Sequence, residues 1–99
     1  MERFDDPKQT IHVPAQETFA VALPANLTTG YSWELDADST QLEVVDETFE
    51  ADTKAVGAGG KQVFRLRART RGETHVVCRY RRPWEGKSRD ERELRVVAE

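Results

Sequence analysis

Few residues of this sequence are of the types that catalyse reactions or bind metals, and they are scattered. His12 and His75 lie on the polar phase of runs that alternate apolar and polar residues, and the single cysteine, Cys78, lies on the apolar phase of such a run. Two histidines without a cysteine or carboxylate cluster make a poor metal site. Nothing places either histidine near Ser32 or Cys78 as the base for a nucleophile. We therefore expect no enzyme, no metal and no cofactor, with Cys78 a buried and inert thiol.

Three other segments have compositions typical of binding loops. The first, Asn26-Leu27-Thr28-Thr29-Gly30, offers threonine hydroxyls and glycine backbone groups that form hydrogen bonds with little bulk. The second, Gly57-Ala58-Gly59-Gly60, lacks the Lys-Ser/Thr ending and the following helix of a phosphate-binding loop, so it favours a flexible tip or a close backbone approach to a partner. The third, Arg82-Pro83-Trp84, contains two residue types that are enriched among interface hot spots. These segments indicate binding rather than catalysis.

Each segment also has an ordinary structural interpretation. Asn26 and Gly30 are common in routine turns because both residue types tolerate unusual backbone angles. Trp84 could fold back onto the edge of a sheet instead of projecting from it. The residue types alone leave these alternatives open.

The elements that must position these segments are strands, because the dominant apolar period is two. Seven short strands in 99 residues, with Trp33 as a candidate central aromatic, favour an all-β fold, a seven-stranded immunoglobulin-like β-sandwich, over a small barrel. This length allows one domain, 1–99, in which we expect 1–8 to be a flexible N-terminal segment. The seven predicted strands span roughly residues 9–13, 17–24, 31–37, 41–49, 61–70, 74–82 and 89–98.

The connections between the predicted strands are of two kinds. Those after the first, third and fifth strands are short and polar, whereas those after the second, fourth and sixth contain the three segments described above. If successive strands alternate in direction, the three longer connections emerge at the same end of the sandwich. Binding residues commonly lie on loops held by a rigid sandwich, so this end is the candidate site.

The charge is divided unevenly along the chain. Residues 1–60 contain three basic and twelve acidic residues, for −9, and residues 61–99 contain twelve basic and six acidic residues, for +6. Basic residues alternate with apolar ones instead of forming a block, which favours acidic and basic strands lying side by side. The alternative is a nucleic-acid-binding surface carried by Arg65, Arg67 and Arg69.

The three segments together resemble the motifs of chagasin-like inhibitors of papain-family cysteine peptidases, the ICP family. That family has an immunoglobulin-like sandwich with three loop motifs in chain order: Asn-Pro-Thr-Thr-Gly-Tyr/Phe, Gly-x-Gly-Gly and Arg-Pro-Trp. This chain has Asn26-Leu27-Thr28-Thr29-Gly30-Tyr31, Gly57-Ala58-Gly59-Gly60 and Arg82-Pro83-Trp84 in the same order. The likeness covers roughly residues 8–98. One position departs from the pattern, because Leu27 stands where the family usually has proline.

The resemblance implies a reversible, non-covalent protein inhibitor that inserts three loops into the active-site cleft of a papain-like protease. Thr28 and Thr29 would approach the catalytic cysteine and histidine of the enzyme, and residues 57–60 would run along the cleft through backbone hydrogen bonds. Arg82 and Trp84 would brace the other side, with Trp84 stacked on enzyme aromatic rings. The protease-binding residues implied in this way are Asn26, Leu27, Thr28, Thr29, Gly30, Tyr31, Gly57, Ala58, Gly59, Gly60, Arg82, Pro83 and Trp84.

The expected partner is therefore a papain-family cysteine protease, and we expect a monomer that binds neither nucleic acid nor membrane. The alternative is an immunoglobulin-like protein-interaction module without protease inhibition. The first residues lack the basic start and the apolar stretch of a secretory signal. We expect a cytoplasmic protein from the sequence as written, or a periplasmic or secreted one if a leader was removed.

Overall fold

The computed structural model describes residues 1–26, 29–51 and 59–99, and these form eight strands in two four-stranded sheets. Apart from the parallel pairs β1–β3 and β2–β8, the neighbouring strands are antiparallel. The strand order is β1-β3-β6-β5 in one sheet and β2-β8-β7-β4 in the other. The strands are β1 (Arg3–Asp5), β2 (Ile11–Val13), β3 (Thr18–Ala25), β4 (Ser32–Ala37), β5 (Leu42–Ala51), β6 (Gly60–Ala68), β7 (Gly72–Arg81) and β8 (Asp90–Ala98).

The all-β prediction is confirmed, and β2 to β8 correspond one for one to the predicted segments. The additional strand is β1, which lies in the N-terminal segment that we expected to be flexible. Phe4 of β1 packs edge-on against Phe19, with 6.2 Å between the ring centroids, and Arg3 forms an ion pair with Glu50 at 2.7 Å. In the sequence, Phe4 between the charged residues Arg3 and Asp5 is too short an alternation to predict a strand. The strand becomes evident only from its pairing with β3.

The core lies between the two sheets and consists of the apolar phase of their strands. Trp33 is 3% exposed, and its indole Nε1 donates a hydrogen bond to the Pro24 carbonyl at 2.9 Å. Burying a large apolar side chain contributes about 1.5–3 kcal/mol, so this double row of side chains is the main source of stability. Its members on the first sheet include Phe19, Val21, Leu23, Phe64 and Leu66, and on the second Trp33, Val76, Cys78, Leu94 and Val96.

A buried polar residue, Gln62, joins the two sheets near the candidate site. Its side-chain oxygen accepts a hydrogen bond from the Trp33 backbone N–H at 2.8 Å, and its Nε2 donates to the Trp33 carbonyl at 3.0 Å. Strand β4 is the edge of its sheet. The Gln62 amide therefore satisfies backbone groups for which no neighbouring strand is present, which fixes the position of β4 relative to β6.

Acidic and basic strands do lie side by side, as the charge pattern favoured. Strand β5 pairs with β6, and Glu43 lies within 3.3 Å of Arg67 and 3.1 Å of Arg69. Asp46 pairs with Arg65 on the same two strands. Exposed pairs of this kind contribute little to stability, typically about 0–1 kcal/mol each. They nevertheless occupy the three arginines on which a nucleic-acid surface would depend, so the structure does not favour that alternative.

The prediction of a buried thiol is confirmed, since Cys78 is completely buried on the inner face of β7. Burial raises the pKa of the Cys78 thiol to about 11, with a smaller opposing effect of the Arg92 charge. At pH 8 we expect the folded protein to react with a thiol reagent at least about 100-fold more slowly than the same chain in denaturant, because the thiolate is the reactive form. A time course of the reaction of Cys78 with the thiol reagent, with and without urea, measures both rates. Equal rates would contradict the burial of Cys78.

Candidate functional site

The three segments singled out in the sequence lead from strand ends that lie together. In the first sheet, Gly60 pairs with both Ala25 and Ala51, so the end of β3, the end of β5 and the start of β6 are adjacent. In the second sheet, the start of β4 pairs with the end of β7 at Ser32 and Arg81. The two sheets are joined at this end by a hydrogen bond of 3.0 Å from the Asn26 backbone N–H to the Tyr80 hydroxyl.

Nine of the thirteen predicted protease-binding residues belong to the described part of the chain. All nine lie at this end of the sandwich, which we call the loop end. They are Asn26, Thr29, Gly30, Tyr31, Gly59, Gly60, Arg82, Pro83 and Trp84. The other four predicted residues, Leu27, Thr28, Gly57 and Ala58, lie outside the described residues.

The first and third segments contact each other directly. The Thr29 hydroxyl donates a hydrogen bond to the Asn26 carbonyl at 2.7 Å, which holds Thr29 close to Asn26 just before Gly30. Gly30 has a φ of +83°, in the region that favours glycine, and a Cβ there would lie 2.7 Å from Cη2 of Trp84. Glycine is therefore favoured at Gly30 by its backbone angle, and the tip of the Trp84 ring lies beside it.

Arg82 holds these two segments together. Its guanidinium lies 4.4 Å from the centroid of the Tyr31 ring, and its Nε donates a hydrogen bond to the Thr29 carbonyl at 2.9 Å. Its Nη1 also donates to Glu85 at 2.9 Å, and this hydrogen bond raises the pKa of Arg82 above its ordinary value. Arg82 thus uses two of its donors and one face within its own chain.

Trp84 projects from the loop end. It is 73% exposed, although it follows Pro83 in a turn closed by a hydrogen bond from the Glu85 N–H to the Arg82 carbonyl at 3.1 Å. The alternative in which Trp84 folds back onto a sheet edge is therefore wrong. A large apolar ring held out in water on a short turn is typical of a residue that is buried by a partner.

Gly59 and Gly60 are required by contacts within the chain itself. A Cβ on Gly59 would overlap the carbonyl oxygen of Ala25, and a Cβ on Gly60 would overlap the carbonyl oxygen of Glu50. Both neighbours are backbone atoms, which cannot rotate away as a side chain can. The glycine-rich sequence at these two positions therefore reflects the close approach of β3, β5 and β6.

Comparison with known proteins assigns the family. The family described as Chagasin family peptidase inhibitor I42 matches residues 12–97. This chain belongs to the chagasin family. Chagasin from Trypanosoma cruzi is 31% identical to it over 93 residues, which cover 88% of this chain and 84% of chagasin.

Solved structures of similar fold are also inhibitors by name. The cysteine protease inhibitor EhICP2 from Entamoeba histolytica superimposes with a TM-score of 0.82 at 20% identity, covering 99% of this chain and 94% of EhICP2. PbICP-C, whose structure was solved in complex with falcipain-2, has a TM-score of 0.70 at 15% identity, with both chains fully covered. At these identities the likeness shows a shared fold, and the family assignment rests on the sequence match.

The chagasin-family motifs omit one residue that the structure places at the centre of the loop end, Tyr80. Its ring lies between Trp33, at 4.9 Å between centroids, and Tyr31, at 5.3 Å and nearly parallel. Its carbonyl accepts a hydrogen bond from the Arg89 N–H at 2.7 Å. The sequence offered one signal, since Tyr80 occupies the inward phase of β7 just before Arg82, but periodicity cannot show what a side chain contacts.

The histidines lie away from the loop end and are exposed, as expected from their phase. His75 lies between Glu93, 2.8 Å from its Nδ1, and Glu73, 3.1 Å from its Nε2. Across residues 1–26, 29–51 and 59–99, no group of three or more His, Cys, Asp or Glu side chains is arranged to hold a metal ion. Within the same ranges, no helix is long and apolar enough to cross a membrane.

Proposed function

We propose that this chagasin-family inhibitor binds papain-like cysteine proteases reversibly and non-covalently, with its loop end in the active-site cleft. The protease-binding residues would be the three segments 26–31, 57–60 and 82–84. Two facts about relatives support the choice of target: EhICP2 is named a cysteine protease inhibitor, and PbICP-C was solved bound to falcipain-2.

The observation that carries the proposal is that Trp84 is exposed on a turn held by hydrogen bonds. The ring of Trp84 is open to solvent, whereas the neighbouring Arg82 is tied to Thr29 and Glu85. An aromatic anchor on a base that is already ordered loses little conformational freedom on binding. An inhibitor that inserts its loops into a preformed cleft requires such an ordered surface with an exposed aromatic side chain.

An interface of ordinary size would be sufficient for tight binding. A standard protein interface buries about 1,600 Å² in total. With one aromatic hot spot and a preorganised surface, such an interface reaches nanomolar dissociation constants, about −12 kcal/mol. We therefore expect a nanomolar inhibition constant against a preferred protease.

We also propose that the two sheets form the immunoglobulin-like sandwich expected from the sequence, with seven strands of that fold and β1 as an addition at the edge. The chain would act as one domain over 1–99 and as a monomer. An inhibitor of this kind needs one free loop end per protease, and a single sandwich supplies it.

The experiment that tests the function is titration of papain and of a cathepsin-L-type protease with the purified chain. We expect competitive inhibition that is reversed by dilution, and an inhibitor of unchanged mass after prolonged incubation. A folded chain that leaves both enzymes active at micromolar concentration would instead favour the interaction module without protease inhibition.

A further inference from the structure

Tyr80 is the residue through which the separate parts of the loop end are joined. Its hydroxyl accepts a hydrogen bond from the Asn26 backbone N–H at 3.0 Å, and its carbonyl accepts one from the Arg89 backbone N–H at 2.7 Å. The first bond reaches the start of the first segment, and the second bond closes the loop that contains Trp84. Tyr80 therefore contacts the start of the first segment, 54 residues away in the chain, and the base of the loop that contains the third segment.

The ring of Tyr80 contacts two other aromatic rings, which restrict the position of its hydroxyl. It packs against Trp33, which is 3% exposed and hydrogen-bonded to Pro24. It also stacks on Tyr31 with an interplanar angle of 24°. Arg82 then covers Tyr31 at 4.4 Å. This column runs from the buried core to the surface and ends beside the exposed ring of Trp84.

The Tyr80 hydroxyl ties the start of the first segment to the second sheet. Asn26 is the first residue after β3. Without the Tyr80 hydroxyl, its N–H would lack this partner, and one tie between the segment and the second sheet would be lost. Asn26 would then populate other positions, and only a fraction of the molecules would present it where binding requires it.

We propose that Tyr80 is a positioning residue of the inhibitor, whose hydroxyl holds Asn26 in its binding position at the start of the first segment before the protease arrives. This inference rests on the proposed function. Its signature is kinetic, because a residue that orders the free loop without contacting the enzyme changes the association rate. The apparent dissociation constant rises as the competent fraction falls.

The test is Tyr80→Phe, which removes the hydroxyl and keeps the ring that contacts Trp33 and Tyr31. Against papain, we expect the association rate constant to fall by up to about fivefold, the largest decrease in the competent fraction that the loss of one ordinary hydrogen bond produces. The dissociation rate constant should stay within a factor of two of the wild-type value, about the limit for an unaltered contact surface. Amide hydrogen exchange should become faster at Asn26, because its backbone N–H donates the hydrogen bond that the Tyr80 hydroxyl accepts.

The matched control is Val76→Ala, a buried truncation on the same strand that lowers stability without touching the loop end. It should lower the unfolding temperature and leave both rate constants unchanged. If Tyr80→Phe associates with papain at the wild-type rate and its Asn26 amide exchanges at the wild-type rate, Tyr80 has no positioning role. A loss that appears only in the dissociation rate would also overturn that role, because the hydroxyl would then act in the complex. Failure of the wild-type chain to inhibit papain would instead count against the proposed function itself.

Discussion

Replacing Trp84 by alanine should raise the inhibition constant about 30-fold or more, because a hot-spot residue of this kind contributes at least about 2 kcal/mol to binding. Trp84 is 73% exposed, so the substitution removes little that the fold depends on. The unfolding temperature should therefore stay within about 4 °C of the wild-type value. Steady-state inhibition of papain and thermal unfolding of the same preparation measure the two effects.

Two further variants make the Trp84 result specific. Trp84→Phe keeps an aromatic face and should recover part of the lost affinity. Val45→Ala truncates another exposed apolar residue, 44% exposed on the edge strand β5. It lies six residues from the loop end of that strand, about 20 Å at 3.3 Å per residue, and should leave inhibition unchanged. If Trp84→Ala inhibits as well as the wild-type chain, the ring is not an anchor and the loop end has another role.

The second large effect is expected at Gly60, and it is an effect on folding. A Cβ at this position would overlap the Glu50 carbonyl oxygen and lie 3.0 Å from the Cα of Ala51, both backbone atoms of β5. Relieving that overlap requires β5 and β6 to separate at a point where β6 also pairs with β3. Overpacking of this kind destabilises by about 1–3 kcal/mol, so Gly60→Ala should lower the unfolding temperature by about 4–24 °C.

Gly86→Ala is the matched control, since a Cβ at Gly86 would meet nothing within 4 Å and its φ lies outside the left-handed region. Its unfolding temperature should be unchanged or slightly higher, because alanine restricts the unfolded chain more than glycine does. Equal unfolding temperatures for Gly60→Ala and Gly86→Ala would show that the strands separate at no cost. Gly60 would then be available for the direct contact with the enzyme that the family resemblance implies.

These two predictions separate residues that belong to one family signature. Most of Trp84 is exposed and free to meet a partner, whereas Gly60 is confined by its own neighbours. Arg82 is intermediate, because a sequence motif suggests contact with the enzyme and the structure shows it bound to Thr29 and Glu85. Its first role is therefore to order the two segments that accompany Trp84.

The sequence by itself determined the class of fold and the family. Alternation of apolar and polar residues predicts strands because successive side chains of a strand point to opposite faces. The same alternation correctly identified Trp33 and Cys78 as buried and the two histidines as exposed. The residues of each loop motif are consecutive in the chain, so the motifs too could be identified without any structure.

Only the tertiary structure decided how the loop end is held. The bond between Asn26 and Tyr80, the stacking of Arg82 on Tyr31 and the overlap that excludes a side chain from Gly60 all join residues that are distant in sequence. Strand β1 and the Gln62 amide became evident for the same reason, through their partners on other strands. Local periodicity reports which face a side chain occupies. Strand register and the packing of one sheet on the other decide which atoms it meets there.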